Sequence, residues 1–194
     1  MDRTTTLIVL LAWVIIVLYP NPFLLVQGTA RLAALPVHGD LPLDLSGLPD
    51  DPARIEARVR EGIPYAYDFQ VYGVPWYIPT PAQVVHAGRG DCKGRAILLA
   101  AIFEEKGIPY AFHISPVHFW VDYPGREETA FTRAYENAST AVYAAGEWQW
   151  PTLMDIHTYL ESWKAVLWDA MPLFRRVVLV AGIAAILLWG RRPD

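Results

Sequence analysis

Apolar residues crowd the two ends of the chain and alternate with polar ones between them. Leu7 to Val26 is nearly free of polar side chains; only Asn21 interrupts it, among Pro20, Pro22 and aromatics. That is about the length a spanning helix requires. The run reads as an uncleaved anchor because it is long and its start is barely basic. A signal peptide cut near Ala30, Ala33 or Ala34 is the alternative. A second apolar run, Val177 to Gly190, is bracketed by Arg175-Arg176 and Arg191-Arg192. Its fourteen residues make about 21 Å of helix. It spans if Met171 to Phe174 join it and the arginines snorkel to the headgroups, and otherwise lies in the interface. Two spans put both termini on one side. Arg3, Arg191 and Arg192 favour the cytoplasm for that side, while Arg31, Arg175 and Arg176 pull the other way. The expectation is a membrane protein whose middle domain is extracytoplasmic.

Between the ends the pattern becomes that of an ordered α+β domain. Closely spaced Pro36, Gly39, Pro42, Gly47 and Pro49 mark a linker after residue 27. Asp50-Asp51-Pro52 starts a short helix with Ile55 and Val59 on one face, stopped by Gly62-Ile63-Pro64. Thr80-Pro81-Ala82-Gln83 is a capping box opening another short helix that ends at Gly88. Asp91 is a third N-cap, for a helix that is apolar nearly all round from Ala96 to Phe103, hence buried, and that stops at Gly107. Tyr110 to Ser115 and Val117 to Tyr123 alternate as strands, with His118, Trp120 and Asp122 sharing one face of the second. Thr129 to Tyr135 is a weaker third strand. Thr152 opens an amphipathic helix carrying Leu153, Ile156, Leu160, Trp163 and Leu167 on one face, which Pro172 ends or kinks. The division is therefore 1–27 membrane helix, 28–49 linker, 50–150 domain, 151–171 connecting helix, 172–190 second membrane or interfacial helix and 191–194 basic tail.

Composition narrows the chemistry. The net charge of −4 over 194 residues, without a basic stripe in the middle, argues against nucleic acid as a partner. A hydrophobic content of 54 % fits a lipid bilayer as one partner. The single cysteine, Cys92, excludes a disulfide framework. Cys92, His86, His113 and His118 match no zinc spacing; His86 and His113 read as structural. Cys92 follows Gly88-Arg89-Gly90-Asp91 in the first turn of the buried helix, and His118 comes 26 residues later on a strand. A helix N-terminus favours a thiolate and an imidazole takes the proton, so these two make a nucleophile and its base.

With Gly90-Asp91-Cys92 opening a buried helix, a Gly107-Ile108-Pro109 exit and His118-Phe119-Trp120 on a strand, the chain resembles the transglutaminase-like superfamily over roughly residues 76–137. The resemblance implies a papain/transglutaminase-like core, with the cysteine at the start of a buried helix packed on a small antiparallel sheet. It also implies acyl transfer at amide bonds of a peptide or protein substrate, without a cofactor. Hydrolysis is favoured because nothing suggests a lysine-substrate tunnel; protein crosslinking and a catalytically idle peptide-binding module are the alternatives. The family's aspartate segment after the histidine strand is missing here. Asp122 stands four residues along the strand from His118, about 13 Å away, and caps the Tyr123 to Arg126 turn instead. Glu136 or Asn137, 18 and 19 residues past His118, is the expected orienting residue. Glu136 is favoured because a charged acceptor better stabilises an imidazolium, with Glu127 and Glu128 as fallbacks. Trp76 reads as core more readily than as an oxyanion donor.

Overall fold

The structure, a computed structural model, describes residues 2–39, 41–115, 118–127, 141–144, 146–150 and 156–190. It is of α+β class, helices around a small antiparallel sheet. The N-terminal apolar run is not one helix. Helix α1 (Arg3–Leu18) and helix α2 (Pro22–Ala33) meet at 82°. The cause is local: Pro20 and Pro22 interrupt the helical hydrogen bonds, and the Asn21 side chain caps α2 by accepting from the Phe23 N–H. Helix α2 docks on the domain rather than prolonging the span. Its Arg31 donates to the Tyr77 hydroxyl, the Ile78 carbonyl and Gln83.

The segment after α2 is no free linker either. Leu35 and Val37 are buried in the main core, and Leu41, Leu45 and Leu48 pack against it. Apolar side chains spaced between the prolines let an irregular backbone lie over a hydrophobic surface.

Helix α3 (Pro52–Gly62) is capped by Asp51. A single helical turn, α4 (Asp68–Val71), falls within the aromatic stretch, and helix α5 (Pro81–Ala87) begins at the Thr80 capping box. Helix α6 (Cys92–Lys106) is the centre of the molecule: all residues from Ala96 to Phe103 are buried. It packs against α3, α5 and the sheet. Gly107 ends it in the left-handed conformation at φ 66°, and the Ile108 N–H donates back to the Phe103 carbonyl.

The sheet runs in the order β2-β1-β3-β4 among the described residues, all pairs antiparallel. Strands β1 (Ala111–Ile114) and β2 (Phe119–Asp122) are those read from the alternation, trimmed at their ends, so that His118, expected on the second strand, stands one residue before it. Phe119 and Val121 face α6, and Phe112 joins the same core. The outer partners are β3 (Ala141–Ala144) and β4 (Glu147–Gln149). The third strand expected over residues 129–135 lies outside the described residues.

The apolar face of helix α7 (Ile156–Lys164) is not buried: Ile156 is 72 % and Leu160 64 % exposed. A π-helical turn (Ala165–Asp169) and Pro172 separate it from helix α8 (Leu173–Gly190). Among the described residues α8 is the one helix long and apolar enough by itself to cross a membrane; α1 qualifies only as half of the bent pair with α2. Helices α1 and α8 pack together. Thr6 adjoins Gly190, and the Trp13 indole adjoins Gly182 and donates to the Leu179 carbonyl at 3.3 Å. Residue numbers rise on one helix as they fall on the other, so the pair is antiparallel and its termini share one end.

Candidate active site

The approach to Cys92 is held by main-chain hydrogen bonds. Gly90 N–H donates to the Pro64 carbonyl and its own carbonyl accepts from Ala66, both at 3.1 Å, so Tyr65 and Gly90 pair as a short parallel bridge. Asp91 then caps α6. Its Oδ1 accepts from the N–H groups of Lys93 at 3.0 Å and Gly94 at 3.2 Å. Cys92 is thereby the first residue of α6, partly exposed, with its own N–H unused by the cap.

Beneath it lies a buried ionic cluster that sequence reasoning missed. Lys93 Nζ contacts Asp91 Oδ2 and lies 3.0 Å from Asp68 Oδ2. Asp68 Oδ2 also accepts from the Tyr77 N–H at 2.7 Å, while Asp68 Oδ1 is buried with no hydrogen-bond partner among the described residues. Two carboxylates share one ammonium. Burial raises Asp68, and the Asp91 charge adds to that against the pull of Lys93. Lys93 is held well above the usual lysine value, because its two carboxylates outweigh the burial that lowers it. A lysine next to a cysteine in a helix read as buried is the only sequence signal of this arrangement, since an unpaired buried ammonium is prohibitively costly.

His118 enters from the sheet. A tight link between β1 and β2 positions it: Ser115 N–H donates to the His118 carbonyl at 2.8 Å, and His118 N–H donates to Ser115 Oγ at 3.0 Å. Its ring stacks on Trp120 at 5.6 Å between centroids, and Trp120 in turn stacks on His113, its cross-strand partner. Next in sequence, Phe119 lines the same two cavities as Cys92. Cys92 and His118 together line two adjoining cavities. One, of about 230 Å³, opens between α3, α6 and β2. The other, of about 300 Å³, reaches Tyr67, Trp76 and, from the connecting helix, Glu161, Ala165 and Val166. Tyr65, 52 % exposed, stands at the junction of both.

The resting charge state differs from the sequence expectation. Burial and the Asp91 carboxylate push the Cys92 thiol up to about 11, against the pull of Lys93 and the Phe119 backbone. The helix start favours a thiolate, yet the same helix start carries an acidic cap. Burial lowers His118, and Arg126 adds to it against the opposing Glu56 and Asp91. Near neutral pH the two groups are therefore thiol and neutral imidazole.

Glu136 and Asn137 lie outside the described residues, as does Glu128. Asp122 is exposed at the end of β2, paired with Ala111. The Arg126 N–H to Tyr123 carbonyl bond closes the following turn, with Gly125 at φ 83°. Among the described residues, the carboxylates whose charge acts on the His118 ring are Glu56 and Asp91. Glu56, like Asp68 and Lys93, was missed by sequence reasoning; it is one position from Ile55, at the edge of the apolar stripe of α3. Trp76 packs over Gly28 and its carbonyl accepts from the Tyr19 hydroxyl, a structural setting that also borders the second cavity. Among the described residues no group of acidic, histidine or cysteine side chains is arranged to hold a metal ion. The chain matches no family model, no curated protein and no solved structure.

Proposed function

We propose that this is a membrane-anchored thiol enzyme with a papain/transglutaminase-like core, acting on amide bonds of peptides or proteins, with water as acceptor. The observation that carries the reading is Cys92 at the start of a buried helix, lining the same two cavities as His118. His118 takes the proton from Cys92 as its sulfur attacks the amide carbonyl. The proton then passes to the leaving nitrogen as the C–N bond breaks, leaving a thioester. Water, deprotonated by His118, attacks the thioester; the C–S bond breaks and the carboxylic acid and the thiol are released. The backbone N–H of Cys92 is the oxyanion donor. Because both groups are neutral at rest, proton transfer accompanies attack, instead of preceding it as in a preformed ion pair. Glu136 or Asn137 is the residue that orients the imidazole.

The antiparallel pairing of α1 with α8 supports two crossings with both termini on one side, and Arg3, Arg191 and Arg192 favour the cytoplasm for that side, with the domain outside. One test covers the chemistry. The full chain in detergent, incubated with a peptide library and analysed by mass spectrometry, is expected to generate new amino termini. Cys92→Ala and His118→Ala should each lose at least about 10²-fold in rate. Cleavage that survives in Cys92→Ala, or none by the wild-type chain, refutes the reading. A thiol pushed up to about 11 favours a second reading, a peptide-binding module that keeps the fold without the reaction; retained peptide binding without cleavage identifies it.

A further inference from the structure

Resting on that reading, we propose that the cavity between α3, α6 and β2 is a carboxylate-recognition subsite, so that the substrates are peptides with an aspartate or glutamate beside the scissile amide. This cavity opens directly from Cys92 and His118, and its charged lining among the described residues is Arg60, Arg95, Arg126 and Glu56. Three guanidinium groups against one carboxylate is a local excess of positive charge in a chain whose net charge is −4.

That one carboxylate is already engaged. Glu56 Oε2 accepts from the Tyr123 hydroxyl at 2.6 Å and faces Arg126 Nε at 3.7 Å. The Arg126 side chain is only 10 % exposed, and its buried Nε has no hydrogen-bond partner among the described residues. Glu56 approaches this guanidinium without a hydrogen bond to its Nε, so the pair leaves the cation incompletely satisfied and an incoming carboxylate adds a second counter-charge. Arg95 is pre-oriented. Its Nε donates to the Ile63 carbonyl at 2.8 Å and its guanidinium lies over the Tyr65 ring, 5.5 Å from the centroid. Arg60 is exposed on α3, one turn beyond Glu56, at the cavity mouth. Planar, permanently charged forks on two helices and a turn suit carboxylate binding better than lysines would.

The test uses two alkylating agents that differ in charge alone. Cys92 in the full chain is treated with iodoacetate and with iodoacetamide, and the rate ratio is compared with that of a cysteine-containing peptide. The ratio is expected to be raised roughly five- to tenfold by the arginines, to shrink with salt, and to fall back in an Arg60→Gln, Arg95→Gln double variant. Should Arg95→Gln disturb the fold through Ile63, Arg60→Gln alone, at an exposed position, still lowers the ratio about twofold. A ratio equal to that of the free peptide, or one indifferent to both substitutions, overturns the subsite.

Protection of Cys92 from iodoacetamide identifies the carboxylate. A capped alanine pentapeptide with one central glutamate should protect better than its glutamine counterpart. Protection only by an all-alanine peptide with a free carboxyl terminus, or by neither, overturns the side-chain assignment. Failure of the enzymatic reading is read separately, since the charge preference in alkylation needs no turnover.

Discussion

Lys93→Met removes the one cation between two buried carboxylates, and its cost follows from the geometry. Lys93 Nζ sits 3.0 Å from Asp68 Oδ2 and against Asp91 Oδ2, with less than a tenth of each of these side chains exposed. Stripping one partner from a buried pair costs roughly 3–5 kcal/mol. Asp68, already raised by burial, relieves part of this by taking up a proton, so the lower end, about 3 kcal/mol, is expected. For a chain of this length that lowers the melting temperature by about 6–12 °C. Far-UV circular dichroism of the full chain in detergent measures it. The same substitution in an Asp68→Asn background should cost less by about 1 kcal/mol or more, because one carboxylate no longer needs a counter-charge. Asp68 also predicts the pH trend. Its folded pKa is raised, so its stabilising contribution is complete below the ordinary value of 3.8 and is lost as pH rises through the folded value; Asp68→Asn removes that slope. Melting within about 2 °C of wild type for Lys93→Met, or equal cost in both backgrounds, would show that the cluster is not a structural support of the Cys92 turn.

Alkylation of Cys92 by iodoacetamide should climb about tenfold per pH unit towards pH 11, because burial and Asp91 hold the thiol neutral; a plateau reached below pH 8 would mean a preformed thiolate. Hydrolysis needs neutral His118, whose value is lowered, so kcat/KM should be half-maximal below pH 6.5 and fall further as His118 protonates. Arg126→Gln should move that midpoint upward, and an unmoved midpoint refutes the coupling. Glu136→Gln is expected to cost far more activity than Asp122→Asn, which touches an exposed strand end; the reverse ranking would show that the strand bends to bring Asp122 to the ring. Gly182→Leu should separate α1 from α8, since a Cβ there falls inside the Trp13 indole; lower thermal stability of the full chain in detergent is the readout, and an unchanged melt argues against close pairing.

Local rules made several elements legible. Asp51, Thr80 and Asp91 each cap the helix expected of them, and Gly88 and Gly107 end theirs in the left-handed conformation. These succeed because caps and stops involve atoms within a few residues. The burial of α6 was equally legible, since a helix apolar on every side must be surrounded. Strands β1 and β2 followed from alternation, and with them the position of His118 at the strand that meets the Cys92 turn.

What the chain alone left undecided are pairings between distant segments. The Leu7–Val26 run satisfied a length rule for spanning, yet the Pro20-Asn21-Pro22 corner and the docking of Arg31 onto Tyr77 and Gln83 decided that α2 belongs to the domain. Leu35 and Val37 looked like linker because proline spacing carries no information on which surface an irregular segment covers. The Asp68–Lys93–Asp91 cluster and the Glu56–Arg126 contact join residues 25 and 70 positions apart. Sequence by itself determined that a cysteine begins a buried helix and that a histidine stands at the entry to a strand. Only the tertiary structure decided their charge, because a pKa depends on burial and on which charged side chains the fold brings to within a few ångströms.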